Sequence, residues 1–380
     1  MSDSIKLSPQ ELARYSRHIA IPEFNLAAQK KLKAAKVLVV GSGGLGSPML
    51  LYLTAAGVGQ IGIVDFDVVE DSNLQRQVLF TVDDIGKSKA ETAKVRLEKL
   101  NPYVNFTVYN NAFTKENALE IVKGYDIVAD GTDNFPTRYL VNDACVLAGK
   151  INVYASIFRF EGQVSVFNFL NKDGTRGANY RDLFPAPPPS GMVPSCAEGG
   201  VLGVLPGIIG SMQASEVIKI ITGVGEPLNG RLFLFDAASF TTRILKVRKS
   251  SKTQITELIN YEEFCGIRIE NEKDKIKEVT VHDLKKWQAE GFDFQLIDVR
   301  QPYEYEIANL GGELIPQNEL VQNLNKISKT KKVIVHCRSG IRSADAIRDL
   351  QNLEDFDNLY NLKGGILEYS KLIDSSIATY

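Results

Sequence analysis

The most constraining feature of the sequence is a glycine-rich turn that follows a short apolar run. Residues 36–40 (KVLVV) are typical of a buried strand, and Gly41, Gly43 and Gly46 follow it in the spacing GxGxxG. An apolar helical pattern continues from there and ends at Gly57. Glycines in such a turn let the backbone approach phosphates, whose charge is met by the helix N-terminus. The sequence therefore predicts a nucleotide site near the start of the chain.

Strand and helix patterns alternate on both sides of this turn. Residues 61–65, 104–109 and 126–130 are strand candidates, residues 87–100 form a helical pattern, and residues 8–21 are predicted as an amphipathic helix. Alternation of this kind predicts a parallel sheet with right-handed crossovers.

The pattern changes after about residue 151. Residues 159–169 and 231–247 alternate between apolar and polar positions close to turn signals, which predicts antiparallel strands. Residues 173–194 are so rich in Gly and Pro that we expect a functional loop without regular elements, followed by a helix at 207–222. The predicted fold is α/β: a Rossmann-like nucleotide-binding domain with an antiparallel extension.

A second, smaller α/β unit is predicted at the C-terminal end. Its signals are strands at 296–300 and 332–336 and a helix at 342–350, and a chain of 380 residues has room for two domains. The predicted organisation is a first domain at 1–248, a linker at 249–278 and a second domain at 279–380.

Composition excludes several classes of protein. A formal net charge of −2 argues against a nucleic-acid partner or a basic membrane-binding surface. No stretch is long and apolar enough to predict a membrane span, and the start, MSDSIKLSPQEL, lacks the apolar core of a signal peptide. The four cysteines form no CxxC pair, and only three histidines occur. We therefore expect a cytoplasmic protein with free thiols and without a Cys/His zinc site.

The nucleotide motif alone does not decide the reaction. Asp65, at the end of the next strand, is placed to bind a ribose hydroxyl, and on this basis an NAD-dependent dehydrogenase fits as well as any other enzyme. Arg76 and Lys89 follow soon after, and fixed cations suit an enzyme that cleaves a triphosphate, where charge develops. Asp133 follows the strand at 126–130 and is a candidate for holding a metal ion or the activated phosphate region.

The combination GSGGLG, DFDVVEDSNLQRQ, GKSKA and DGTDN resembles the MoeB/ThiF (HesA) family, the relatives of ubiquitin-activating enzymes, over residues 8–248. The resemblance implies a Rossmann-like ATP-binding domain of the ubiquitin-activating type, with Mg²⁺ on Asp133. It also implies adenylation of the C-terminal glycine of a ubiquitin-like sulfur carrier ending in Gly-Gly. Asp133 and Arg76 are the implied catalytic residues of that step. The implied ATP-site residues are Gly41, Gly43, Gly44, Asp65, Ser72, Asn73, Leu74, Gln75, Arg76, Lys89, Asp133 and Asn134.

The same resemblance concerns Arg17, which matches an arginine supplied by the partner subunit of a homodimer. Without it, a solvated helix arginine would be the simpler interpretation.

The sequence departs from the family at its zinc site: Asn179 and Asp182 stand where a first CxxC pair would fall, and no pair follows Arg248. We predict no structural zinc. The wording NYRDLFP…PPPSGMVPSCAEGGVLG is similar to that of MoeZ-type fused members, which also lack these pairs.

Adenylation explains why this site needs no side-chain nucleophile. A carboxylate is a poor acyl donor, and conversion to an acyl-adenylate supplies AMP as the leaving group. Catalysis is then positioning and charge stabilisation.

Cys196 is a separate candidate for covalent chemistry, because the resembling proteins can join this position covalently to the carrier. A buried structural cysteine is the alternative. Cys145 is predicted to be core, and Cys265 receives no role.

Cys337 is the strongest nucleophile candidate. It directly follows a buried strand, and the backbone amides of the next five residues can form an anion cradle at a helix N-terminus. The arginine spacing is Cx4R, one residue shorter than the HCx5R of cysteine phosphatases, and the shorter loop suits a single sulfur atom. LIDVR at 296–300 and LKGGI at 362–366 are similar to sequences of rhodanese domains, and residues 279–380 resemble such a domain. In that resemblance Asp298 and Arg300 would be structural. The predicted persulfide cradle is Arg338, Ser339, Gly340, Ile341 and Arg342, and we expect Arg338 and Arg342 to add positive charge to it.

The two domains imply successive steps on one substrate. A persulfide on Cys337, loaded by a cysteine desulfurase or thiosulfate, would sulfurate the activated carrier to give a thiocarboxylate. Such carriers serve molybdopterin, thiamine, cysteine or tRNA-thiolation pathways. The alternative is an adenylyltransferase whose rhodanese domain only docks a partner.

Overall fold

The computed structural model describes residues 5–188, 199–266 and 276–378. The chain divides into two compact units, Met1–Ile269 and Glu270–Tyr380, and each has its own sheet. Among the described helices, none combines the length and apolarity that crossing a membrane requires.

The first unit is built on an eight-stranded sheet of order β3-β2-β1-β4-β5-β6-β7-β8. The strands from β3 to β5 pair in parallel, and those from β5 to β8 pair antiparallel, which confirms the predicted α/β fold with an antiparallel extension. Its elements are α1 (Pro9–Arg14), α2 (Ser16–Ile19), α3 (Asn25–Ala34), β1 (Lys36–Val40), α4 (Gly46–Ala56), β2 (Gln60–Val64), α5 (Lys89–Leu100), β3 (Asn105–Tyr109), α6 (Ala118–Lys123), β4 (Ile127–Asp130), α7 (Phe135–Leu147), β5 (Ile151–Phe158), β6 (Glu161–Phe167), α8 (Tyr180–Leu183), α9 (Leu205–Thr222), β7 (Arg231–Asp236), β8 (Thr241–Lys246) and α10 (Tyr261–Phe264).

Both faces of the parallel half are covered by helices. Along β1, Val37 and Val39 belong to the core formed with α4, α5 and α9, whereas Leu38 and Val40 belong to the core formed with α6 and α7. A central parallel strand buried on both faces has a continuous apolar sequence, and KVLVV meets that requirement. Because helices cover both faces, the carboxyl ends of these strands are where the sheet is left open.

Two glycines allow α4 to begin directly after β1. Gly41 has φ +90°, a left-handed conformation that side chains disfavour. A Cβ on Gly46 would overlap the carbonyl oxygen of Gly41, so only glycine permits this close approach of helix to strand. The N-terminus of α4 is therefore fixed at the carboxyl ends of the parallel strands.

Part of the predicted loop at residues 173–194 is ordered into a helix. Asn179 and Asp182 form a reciprocal capping box around the single turn of α8, and Tyr180 is 2% exposed within an aromatic cluster. The expectation of a segment without regular elements was therefore wrong for this turn, because the caps offset the breakers on either side. Asn179 and Asp182, the two residues at which the sequence departs from the zinc site that the resemblance implies, have this capping role.

The segment that we predict as a linker, 249–278, packs in its described first part against the first unit. Leu258 and Tyr261 are buried in the core that contains α7, and the Tyr261 hydroxyl donates to Asp143 Oδ2 at 2.8 Å. The Ser250 amide donates to Asp182 Oδ1 at 3.0 Å. Isolated apolar residues in a charged stretch gave too weak a periodicity to predict this packing.

The second unit contains a five-stranded sheet of order β11-β10-β12-β13-β9, with every pairing parallel. A 3₁₀ segment, Gln317–Lys326, lies between β11 and β12. The remaining elements are β9 (Glu278–Val279), α11 (Val281–Glu290), β10 (Phe294–Asp298), α12 (Pro302–Ile307), β11 (Glu313–Leu314), β12 (Lys332–His336), α13 (Ile341–Leu353), β13 (Leu359–Leu362) and α14 (Gly365–Leu372).

Candidate active sites

A cleft in the first unit lies at the carboxyl ends of β1, β2 and β4. Ligands of open parallel sheets bind at this edge. The turn after β3, at residues 111–113, closes another side of the cleft. The sequence-predicted residues that line it are Gly41, Gly43, Gly44, Asp65, Arg76, Lys89, Asp133 and Asn134.

Asp65 holds the glycine turn in place. Its Oδ2 accepts hydrogen bonds from both the amide and the hydroxyl of Ser42 at 2.8 Å, and its Oδ1 accepts from the amide of Asp67 at 3.0 Å. The side chain lines the cleft but is largely buried, with 9% exposure. A structural role in fixing the turn therefore accompanies the predicted contact with ribose.

Two cations face the cleft in restrained positions. Lys89 Nζ lies 2.9 Å from Asp67 Oδ2, and the lysine side chain is 7% exposed while the aspartate is 50% exposed. Arg76 Nη1 donates to the carbonyl of Ser72 at 3.2 Å. Both restraints reduce the side-chain entropy that phosphate binding would otherwise remove. The exposed Asp67 is a partner that solvent can replace when an anion occupies the cleft.

The turn after β4 supplies an exposed carboxylate and a helix cap. Asp133 is exposed within the cleft, whereas the Asn134 side chain accepts from the amide of Thr137 at 2.9 Å and caps α7. Within the described ranges, no three His, Cys, Asp or Glu side chains converge as a metal site. Mg²⁺ bound to nucleotide needs only one or two protein carboxylates, so Asp133 with phosphate oxygens fits that ion.

Arg138 also lines the cleft, although it was not among the site residues predicted from the sequence. It lies one helical turn after Asn134, and this spacing was a usable signal. Its guanidinium donates to the Thr132 carbonyl at 3.3 Å and lies over the Tyr154 ring. Nearby, burial raises the pKa of Asp130 to about 6.

Several predicted residues lie elsewhere. Arg17 is exposed on α2 and does not line the cleft formed by the described part of its own chain. The loop residues Ser72, Asn73, Leu74 and Gln75 are also absent from that lining and support the segment that carries Arg76. The contacts of these residues with ATP stay a prediction.

The cysteines of the first unit differ in environment. Cys145 is fully buried, and burial raises the pKa of its thiol well above the usual value, as expected for a core residue. Burial raises the pKa of the half-buried Cys265 to about 11, so its thiolate is scarce at neutral pH. Cys196 lies outside the described residues, and its role stays a prediction.

The second candidate site is the loop between β12 and α13. Cys337 follows the last residue of β12, and the Gly340 amide donates to its Sγ at 3.1 Å. Gly340 has φ +93° and caps α13, a conformation that directs its amide back toward the cysteine. Cys337 itself is 0% exposed.

The charge of Arg342 is largely neutralised. Its two terminal nitrogens pair with both carboxylate oxygens of Glu304 at 2.7 Å, and the Glu304 side chain is 3% exposed. The expectation that Arg342 adds positive charge to the cradle therefore needs correction: the fork–fork pair fixes α12 beside the loop. The Gly340 amide donates to the sulfur directly.

The LKGGI sequence and the residue after it hydrogen-bond to the backbone of the cysteine loop. The amide of Ile366 donates to the carbonyl of Cys337 at 3.0 Å, and the amide of Leu367 donates to the carbonyl of Arg338 at 3.1 Å. A Cβ on Gly365 would lie 2.5 Å from the Cys337 carbonyl oxygen. The glycine therefore allows two chain segments to meet at backbone distance.

Asp298 and Arg300 form a fully buried ion pair behind the loop, with Nη2 and Oδ2 2.6 Å apart. Arg300 Nη2 also donates to the carbonyl of Ala308 at 2.7 Å. His336 is buried beside them, its Nε2 lying 3.6 Å from Asp298 Oδ2. The pair ties the end of β10 to the segment after α12, in keeping with the structural role predicted for it.

Two family models match the chain, one in each of its two units. The ThiF family model matches residues 15–256, and the rhodanese-like domain model matches residues 280–372. The chain belongs to the ThiF family. It is 47% identical to the probable adenylyltransferase/sulfurtransferase MoeZ of Mycobacterium tuberculosis, over 98% of this chain and 96% of that protein.

Two further matches cover a smaller share of this ThiF-family chain. The sulfur carrier protein adenylyltransferase of Thermus thermophilus is 50% identical over 70% of this chain and 100% of its own length. Among solved structures, that of E. coli MccB with ATP has a TM-score of 0.55 and 25% identity, covering 64% of this chain and 74% of that one.

Proposed function

We propose that the first unit adenylates the C-terminal glycine of a ubiquitin-like sulfur carrier and that Cys337 then supplies sulfur to the activated carrier. The observation that carries the proposal is the presence, on one chain, of a nucleotide cleft with Lys89 and Asp133 and of a cysteine loop whose amide donates to Sγ. The names of the relatives, adenylyltransferase and sulfurtransferase, support the same two steps.

In the first step, a carboxylate oxygen of the carrier attacks the α-phosphorus of ATP, and pyrophosphate leaves. Arg76 and Lys89 bind and orient the phosphates from one side of the cleft, and Asp133 holds the metal-binding position. Bound there, Mg²⁺ would neutralise charge on the leaving pyrophosphate. The product is an acyl-adenylate with AMP as its leaving group.

In the second step, the outer sulfur of a Cys337 persulfide attacks the acyl carbon, and AMP leaves. The carrier is then joined to Cys337 through an acyl disulfide. An external thiol attacks Sγ, the bond between Sγ and the outer sulfur breaks, and the thiocarboxylate is released while a new disulfide forms at Cys337. We further propose that Cys196 holds the carrier during this exchange.

The partners follow from these steps. Cys337 needs a persulfide donor such as a cysteine desulfurase, or thiosulfate. We propose a homodimer in which Arg17 completes the cleft of the partner subunit, supported by its exposure on α2 and its absence from the described lining of its own cleft. Widely spaced free thiols support a cytoplasmic location.

The dimer proposal has a direct test by mixing two inactive variants. Arg17→Ala and Asp133→Ala each remove one component of the site. If Arg17 acts in the partner's cleft, a mixed dimer contains one intact site, and activity reappears on mixing. Failure to recover activity in a mixture shown to exchange subunits would contradict the role of Arg17.

The two chemical steps are separated by a second pair of variants. Wild-type protein, incubated with ATP, Mg²⁺, thiosulfate, an external thiol and a carrier ending in Gly-Gly, should replace one carrier oxygen by sulfur, as detected by mass spectrometry. Asp133→Ala should abolish carrier-dependent ATP–pyrophosphate exchange, whereas Asp173→Ala, a change of an exposed aspartate outside the cleft, should not. Cys337→Ser should leave exchange intact and abolish sulfur transfer.

The alternatives give different results in the same assays. A rhodanese domain that only docks a partner predicts equal sulfur transfer by wild type and Cys337→Ser. A dehydrogenase predicts quenching of NADH fluorescence without pyrophosphate exchange. Either pattern would contradict the proposed function.

A further inference from the structure

The Ser343 hydroxyl lies between two acceptors in the Cys337 loop. It is fully buried on the first turn of α13, with Oγ 2.6 Å from Asn361 Oδ1 and 3.4 Å from Cys337 Sγ. A serine hydroxyl carries one hydrogen and can donate fully to only one of them at a time. The position of that hydrogen therefore depends on which acceptor is stronger.

Asn361 is held so that its oxygen faces the serine. Its Nδ2 donates to the Gly340 carbonyl at 3.1 Å, and the reversed amide would place two oxygens against each other there. The backbone amide of Asn361 donates to the Lys277 carbonyl at 2.8 Å, which fixes the residue on β13. The side chain is 5% exposed, so water does not compete for Oδ1.

The charge on Sγ decides between the acceptors. A neutral sulfur accepts hydrogen bonds weakly, whereas an anionic acceptor makes hydrogen bonds about twice as strong as neutral ones. In the thiol, the Ser343 proton therefore lies toward Asn361. Once the thiol proton has left to solvent, the hydroxyl can rotate toward the anionic Sγ and join the Gly340 amide as a second donor.

We propose that Ser343 is a positioning residue whose hydroxyl switches between Asn361 and Cys337, donating to Sγ only while Sγ is a thiolate. The switch returns when the Cys337 thiolate attacks the outer sulfur of thiosulfate or of a donor persulfide. The bond to that sulfur breaks in the donor, and sulfite or the donor thiolate leaves. The negative charge of the new persulfide then lies on its terminal sulfur, and Sγ becomes neutral. The Ser343 hydroxyl thus stabilises the Cys337 thiolate that attacks the sulfur donor. It stops donating to Sγ once the persulfide has formed. This inference rests on the proposed function of Cys337.

The test is the pH profile of Cys337 alkylation by iodoacetamide in the full-length protein, followed by mass spectrometry of the peptide that contains Cys337. Ser343→Ala should move the midpoint up by about one pH unit and slow alkylation about tenfold below it, since one charge-assisted donor is lost. Ser343→Thr keeps the hydroxyl and should keep the wild-type midpoint. Superimposable profiles for wild type and Ser343→Ala would overturn the proposal.

A purely structural role is excluded by two further variants. Ser370→Ala is the matched control, because Ser370 is also buried and its hydroxyl donates to the Ile377 carbonyl at 2.7 Å, so its profile should not move. Asn361→Leu removes the competing acceptor and should lower the midpoint, opposite in sign to Ser343→Ala. An upward shift for Asn361→Leu would contradict the switch, and if that variant does not fold, Ser343→Ala against Ser343→Thr decides alone.

The two levels of inference fail separately. A wild-type protein whose Cys337 alkylates but transfers no sulfur from thiosulfate would contradict the proposed function. The comparison of alkylation midpoints does not depend on sulfur transfer and still tests the Ser343 switch.

Discussion

His336 gives the second unit a pH-dependent stability that can be worked from the structure. The imidazole is 0% exposed, and burial lowers its pKa from 6.5 to about 4, with the Arg300 charge acting in the same direction and Asp298 opposing it. Between these values the unfolded chain binds a proton that the folded chain excludes. The stability that the neutral His336 contributes is therefore complete above the pKa of the unfolded chain. It is lost as the pH falls toward the pKa of the folded chain.

The interval fixes the magnitude. Linkage with these two values predicts that the second unit is about 2 kcal/mol less stable at pH 5 than at pH 7.5, and about 3 kcal/mol less stable at pH 4. Acidic groups whose pKa values are lowered, such as Asp283, lose their contribution only below about their usual value of 3.8. The window between pH 4 and 6.5 consequently isolates the histidine.

A single fluorophore makes the measurement specific. Trp287 is the only tryptophan of the sequence, lies in the second unit, and packs against Phe292 and Phe294. Urea unfolding of the full chain, followed by its emission at several pH values, gives the stability of that unit. His336→Leu should flatten the curve across the window. An unchanged slope in this variant would refute the assignment of the pH dependence to His336.

Three further predictions concern buried polar groups. Glu304→Gln breaks the pair with Arg342 and should lower the stability of the second unit by about 2–3 kcal/mol in the same fluorescence assay; a loss below that measured for an exposed pair would contradict a structural role. Tyr261→Phe removes the donor to Asp143 and should destabilise the first unit by about 1–2 kcal/mol, measured by circular dichroism during unfolding. Asp130→Asn should raise the melting temperature at pH 8 and have little effect below pH 4, because burial raises the Asp130 pKa from 3.8 to about 6 and its stabilising effect is lost as the pH rises through that value; a rise of equal size at both pH values would refute this.

Local sequence signals predicted the framework of both sites. The run 36–40, Gly41 and Gly46 dictated a strand, a turn and a helix, because period, backbone freedom and close approach are all local properties. The strand at 332–336 and the cysteine after it followed from the same reasoning. These elements needed no knowledge of distant residues.

Partners distant in sequence were the part that could not be predicted. Glu304 neutralises Arg342 across 38 residues, and no pattern in the sequence links α12 to the cysteine loop. Tyr261 reaches Asp143 across 118 residues and draws half of the predicted linker onto the first unit. Hydrogen-bond partners of this kind are selected by tertiary packing, which single-residue chemistry does not encode.

The two sites therefore use charge differently, although each begins at a helix N-terminus after a parallel strand. Lys89 is paired with a half-exposed carboxylate that an anionic ligand can displace, so its charge is available in the cleft. Arg342 is paired with a buried carboxylate, which leaves the backbone amide of Gly340 and the Ser343 hydroxyl as donors near Cys337. Salt screens exposed charges far more than buried dipoles. ATP binding should consequently weaken with ionic strength, while the alkylation midpoint of Cys337 should hardly change; a midpoint that moves with salt would show that arginine charge, rather than these donors, controls the sulfur.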